Sequence, residues 1–131
     1  MAQPMKPNVF PTLRYQDGPA AVDWLAKAFG FEKHFVVPGP AGSVTHAQLC
    51  LGPGMIMLGT GKDDSGTNPW AAVPQGVYVR VDDADAHYAR AKAAGAEIVR
   101  ELADTEYGSR EYSVRDPEGH LWSFGTYDPW T

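Results

Sequence analysis

The alternation of apolar and polar positions divides the chain into two copies of one pattern. In the first, Leu13-Arg14-Tyr15-Gln16-Asp17 reads as a short strand ending on an acidic residue. Gly18 and Pro19 then open a stretch with Val22, Leu25, Ala26 and Phe29 at helical spacing, and Gly30 closes it as a left-handed cap. In the second, Val79-Arg80-Val81-Asp82-Asp83 leads into Tyr88, Ala91 and Ala94, and Gly95 closes the helix. Asp17 and Asp83 stand 66 positions apart, each where a carboxylate accepts from the free N–H groups of a first helical turn. Pro19 falls inside the first turn, where a missing N–H costs little.

Period-two alternation follows each helix, over 31–37, 44–51 and 55–60 in the first copy and over 96–102, 110–114 and 120–127 in the second. Each copy therefore reads βαβββ. Tight turns precede both last strands, at Leu51-Gly52-Pro53-Gly54 and Asp116-Pro117-Glu118-Gly119, and the strands end alike in Leu58-Gly59-Thr60 and Phe124-Gly125-Thr126. The expected organisation is one domain over 1–131, with module one at about 8–61, a Gly-, Pro-, Asp- and Ser-rich linker at about 62–75 and module two at about 76–128.

Composition narrows the classes of function. With 131 residues, 44% of them apolar, the chain is long enough to bury a real core. The net charge of −5, with Lys and Arg scattered singly, argues against a nucleic-acid partner. No apolar run reaches the roughly 18 residues of a membrane span, and Met1–Pro7 lacks the order of a signal peptide, so neither a membrane nor export is expected and the protein is read as cytoplasmic. Cys50 stands alone, so there is no intrachain disulfide, and its place in an alternating strand suits a small buried residue.

The run from Tyr107 to Thr126, with Asp116-Pro117-Glu118-Gly119 at its centre, and the duplicated strand-Asp-helix-Gly order resemble the vicinal oxygen chelate superfamily. That group includes glyoxalase I, the bleomycin resistance proteins and extradiol dioxygenases. The resemblance covers nearly the whole chain and is greatest to the small glyoxalase-like, bleomycin-resistance-like branch. It implies an α+β fold in which two tandem βαβββ modules form curled mixed sheets around a cavity, with helices on the outer face. It also implies a homodimer, since such modules usually pair between chains, with a monomer that pairs its own modules as the alternative.

In metal-dependent members the ligands stand early on the first strand and on the last strand of each module. Those positions fall here at Phe10, Met57, Gly76 and Ser123. Phe and Gly offer no donor, a thioether is soft and a neutral hydroxyl is a poor ligand, so no metal and no cofactor is expected. Alternation then turns other side chains toward the cavity: Thr12 and Arg14, His46, Gln48 and Cys50, Met55 and Met57, Tyr78 and Arg80, Glu111 and Ser113. Arg14, Gln48, Met57, Tyr78, Arg80 and Ser123 are the candidate ligand contacts, while His46 and Glu111 are the candidate acid/base groups. In the empty protein Arg14 and Arg80 are expected to pair with Glu111. Trp70 and Trp130 are candidates to cap a flat ligand; Trp24 and Trp122 are assigned to the core, His34 and His120 to exposed strand or turn positions, and His87 to the outer part of a helix.

The function expected is metal-independent binding of a small molecule, with sequestration of a toxic or antibiotic ligand as the role that the resemblance implies. The alternative is a glyoxalase-like lyase or isomerase with His46 or Glu111 as base, metal-free or with displaced metal ligands.

Overall fold

The computed structural model describes residues 7–61 and 71–130. The elements run β1 (Thr12–Tyr15), α1 (Gly18–Phe29), β2 (Glu32–Pro38), a 3-10 turn (Pro40–Gly42), β3 (Val44–Leu51), β4 (Gly54–Thr60), β5 (Gly76–Arg80), α2 (Ala84–Ala93), β6 (Glu97–Asp104), β7 (Arg110–Arg115) and β8 (Leu121–Gly125). The strands make two mixed four-stranded sheets, in the orders β1-β4-β3-β2 and β5-β8-β7-β6. This is the α+β, two-module βαβββ arrangement that the sequence pattern predicts. No described helix is long and apolar enough to cross a membrane.

The described residues fall into two compact units, one running to Ala26 and resuming over Gly30–Val73, the other comprising Lys27–Phe29 and the chain from Pro74 onward. The first buries Leu13, Tyr15, Leu25, Ala47, Leu49, Ile56 and Leu58. The second is built on rings. Phe29 lies 4.7 Å from Phe124 and 5.3 Å from Trp122, centroid to centroid, and Tyr112 stacks on Phe124 at 5.3 Å.

Both helices start as the sequence dictates. Asp17 accepts from Ala20 N and Asp83 from Ala86 N, each at 3.0 Å, a cap that contributes about 1 kcal/mol. Gly30 ends α1 in the left-handed region at φ 87°.

The repeated Gly-Thr pairs also acquire a physical reason. Thr60 Oγ1 accepts from Val44 N at 2.9 Å, and Thr126 Oγ1 accepts from Arg110 N at 3.1 Å, so each threonine ties the end of one strand to the start of its neighbour.

Register shows how closely the copies match. The pairs Thr12–Met57 and Arg14–Gly59 recur 66 positions later as Tyr78–Ser123 and Arg80–Gly125. In the antiparallel hairpins Gln48–Met57 becomes Ser113–Ser123, because paired residues stand one position farther apart in sequence across β7–β8 than across β3–β4. Ser113 is thus the counterpart of Gln48, and Glu111 that of His46.

Candidate ligand-binding cleft

Two rows of side chains cross one face of the second sheet. Tyr78, Ser123, Ser113 and Arg100 stand in register in one row, and Arg80, Gly125, Glu111 and Ala103 in the next. Gly125 provides space rather than unusual backbone geometry: a Cβ there would stand 2.5 Å from Glu111 Cγ and 2.9 Å from Tyr78 Oη. Glu111 lies over the bare glycine, only 5% exposed.

Its carboxylate is well supplied with donors. Oε1 accepts from Arg100 Nη2 and from Tyr107 Oη, both at 2.9 Å. Ser109 Oγ nearby accepts from Tyr127 N at 3.0 Å. Tyr78 Oη donates to the Tyr127 carbonyl at 2.8 Å, which fixes the chain just after β8. The result is a cleft of about 700 Å³ lined by Tyr78, Arg100, Tyr107, Glu111, Ser123, Tyr127 and Pro129.

Burial pushes the Glu111 pKa up, but the hydrogen bond from Arg100, those from Ser109 and Tyr107, and the Arg100 charge together outweigh it and leave the pKa below its ordinary value. Burial first, and the Glu111 charge second, raise the Tyr78 phenol, so Tyr78 stays neutral near pH 7. Because the folded-state pKa of Glu111 is depressed, its contribution to stability is complete above the unfolded-state value of about 4.3 and is lost as pH falls through the folded-state value. Glu111→Gln is therefore expected to be less stable than the wild type at pH 7 and to lose less stability than the wild type between pH 5 and pH 3. Urea midpoints across that range check this.

The first sheet carries the remaining candidates. His46 Nε2 lies 2.9 Å from Gln48 Oε1, and since an amide oxygen only accepts, Nε2 donates and Nδ1 is left as an acceptor. Gln48 Nε2 reaches Met55 Sδ at 3.6 Å. Arg14 extends over Gly59, where a Cβ would stand 2.5 Å from its Nη1. Arg14, His46, Gln48 and Met57 thus belong to the first unit, and Tyr78, Arg80, Glu111 and Ser123 to the second. Of these eight, Tyr78, Glu111 and Ser123 line the cleft.

Several sequence assignments need correction. Glu111 pairs with Arg100, not with Arg80, whose Nη1 instead meets Asp82 Oδ1 at 2.5 Å. His87 is not on the outer part of its helix. Its ring lies 4.3 Å from that of Phe124, Nε2 donates to the Phe29 carbonyl at 2.9 Å, and Nδ1 meets Tyr112 Oη at 2.5 Å. Burial holds His87 below its ordinary pKa and Tyr112 above its own, so the pair is neutral. His120 is 1% exposed, because Gln75 N donates to its Nδ1 at 2.9 Å and draws it into the turn. Trp24 and Cys50 are half-buried rather than core, whereas Trp122 is fully buried. Trp70 lies outside the described residues.

Arg100, Tyr107, Tyr127 and Pro129 are the cleft residues that alternation did not single out. Period two puts Arg100 on the same face as Ile98 and Leu102. Register shifts on both sides of Arg100 reverse this, so that Ile98 opposes core-facing Val114 while Arg100 opposes Ser113.

The family's metal positions do not fit a divalent ion. Phe10 lies before β1 and Gly76 opens β5 without a side chain. Met57 offers a thioether, and Ser123 Oγ shares a hydrogen bond with Ser113 Oγ at 2.8 Å. Among the described residues, no group of three or more His, Cys, Asp or Glu side chains is placed to hold a metal.

The sequence model of the glyoxalase/bleomycin resistance protein/dioxygenase superfamily matches residues 9–124. An uncharacterized protein of Mycobacterium tuberculosis is 36% identical over 132 residues, covering 95% of this chain and 77% of the relative. Among solved structures, TioX from Micromonospora sp. ML1 superposes with a TM-score of 0.76 at 39% identity, covering 90% of this chain and 98% of TioX. Lactoylglutathione lyase from Agrobacterium tumefaciens superposes with a TM-score of 0.70 at 21% identity, covering 94% of this chain and 95% of the lyase, a likeness of fold.

Proposed function

Since the chain belongs to the glyoxalase/bleomycin resistance protein/dioxygenase superfamily, we propose that it is a metal-independent small-molecule-binding protein of that group, acting in the cytoplasm and holding or sequestering its ligand in the second-unit cleft. The observation that carries this reading is the state of Glu111. A general base is most effective with a pKa near the working pH. This carboxylate is instead held ionised by Arg100, Tyr107 and Ser109, at the floor of an aromatic cleft. Such a group fixes the shape and polarity of a pocket more readily than it takes up a proton. The donor chemistry of Phe10, Met57, Gly76 and Ser123 supports a role without a metal.

The reading includes a homodimer, supported by the apolar side chains Phe35 and Val36 that the edge strand β2 exposes. Solution mass tests that part. The tautomer of His46, with Nδ1 available to accept, favours the second reading of a lyase or isomerase. Two measurements separate them. Native mass spectrometry of protein isolated from its own host is expected to show a bound organic molecule that survives EDTA. Exchange of a proton α to a carbonyl, lost in His46→Ala or Glu111→Gln, would replace the binding reading with the catalytic one.

A further inference from the structure

The polar groups of the cleft are not equally committed. The main acceptor is engaged: Glu111 Oε1 receives two donors, Arg100 Nη2 and Tyr107 Oη. The tyrosine donors are spent as well, Tyr78 on the Tyr127 carbonyl and Tyr107 on Glu111. Their rings, with that of Tyr127, therefore present aromatic surface, at centroid separations of 6.4 Å for Tyr78–Tyr127 and 5.8 Å for Tyr107–Tyr127.

What remains open is a set of donors. A guanidinium carries five N–H groups, and Arg100 commits one of them, to Glu111, while its side chain stays 49% exposed. Ser123 and Ser113 share one hydrogen bond between two hydroxyls, which leaves one of the two protons unspent. Ser123, Ser113 and Arg100 stand side by side on β8, β7 and β6, so these donors lie along one edge of the aromatic surface.

Resting on the reading of this cleft as the ligand site, we infer that its occupant is a planar aromatic monocarboxylate whose ring packs on Tyr78, Tyr107 and Tyr127 and whose carboxylate takes the free donors of Arg100. A cationic ligand meets the exposed guanidinium before it reaches the buried Glu111 carboxylate. A dianion suffers the nearby Glu111 charge, whereas a single negative charge matches the one fork that is left.

Three probes of nearly equal shape test this by calorimetry at low salt: 2-naphthoate, 2-naphthamide and 2-naphthylmethylammonium. The naphthoate is expected to bind at least tenfold more tightly than the amide, and Arg100→Met to bring it down to the amide's affinity while changing amide binding less than twofold. Because Arg100→Met leaves Glu111 buried without its cation, the double variant Arg100→Met/Glu111→Gln is measured beside it and is expected to show the same loss of discrimination. Equal binding of naphthoate and amide, or tightest binding of the ammonium, overturns the inference and leaves the cleft as a binding site. No binding of any probe, with no shift of the Tyr127 or Ser123 amide resonances, overturns both.

Discussion

Replacing Asp116 by Ala is expected to destabilise the protein by about 3–5 kcal/mol, because one buried carboxylate organises the whole β7–β8 turn. Asp116 is 3% exposed. Its Oδ1 accepts from Glu118 N and His120 N, each at 3.0 Å, and its Oδ2 accepts from Trp122 Nε1 at 3.1 Å. Trp122 is fully buried and His120 is 1% exposed, so alanine would strand two donors away from water. Each stranded donor costs about 1–3 kcal/mol. Asp116→Asn separates the contributions. Its amide oxygen can keep the two backbone bonds, but its NH₂ then faces the indole N–H, donor against donor, so a loss of about 1–3 kcal/mol is expected. Urea unfolding followed by circular dichroism and tryptophan fluorescence measures both. A loss below about 1 kcal/mol for Asp116→Ala would show that the turn is held by its backbone alone.

The elements that read clearly from the sequence are those whose cause is local. Asp17, Asp83 and Gly30 cap helices through contacts within a few residues, and the hairpin turns are local too, with Gly52 and Gly119 at positive φ and Asp116 accepting from residues two to six positions on. The Gly-Thr repeats were visible as a pattern, though their reasons are not local: Thr60 and Thr126 cap a strand 16 positions away, and Gly59 and Gly125 make room for Arg14 and Glu111. Residues whose surroundings depend on distant packing were not legible. His87 sits on an alanine-rich helix without a marked apolar face, and what buries it is Phe29, 58 positions earlier. Arg100 was hidden by strand irregularities that no period-two count can foresee. Tyr127 closes the alternating run 120–127, but β8 ends at Gly125, so Tyr127 and Pro129 reach the cleft from the chain beyond the strand, where no period-two count applies. The floor of the cleft was therefore legible and its rim was not.

Gly125→Ala is expected to remove ligand binding almost entirely, with at least a hundredfold loss of 2-naphthoate affinity, and to cost about 1–3 kcal/mol in stability. The new methyl would sit 2.5 Å from Glu111 Cγ and 2.9 Å from Tyr78 Oη, and neither neighbour can yield freely. Glu111 is held by Arg100 and Tyr107, and Tyr78 by the Tyr127 carbonyl. Moving either one shifts a wall of the cleft, and moving Tyr78 also breaks its hydrogen bond to the Tyr127 carbonyl. Since Gly125 does not have a positive φ, the penalty arises from collision and not from backbone strain. A double-mutant cycle isolates it. Glu111→Ala alone leaves Arg100 and Tyr107 without their acceptor and is destabilising, yet it also removes the Cγ with which the new methyl would collide. The double variant Gly125→Ala/Glu111→Ala is therefore expected to be more stable than the sum of the two single losses, by about 1 kcal/mol or more. Strict additivity would mean that the added methyl is accommodated without displacing Glu111, and that the glycine is not what shapes the floor of the cleft.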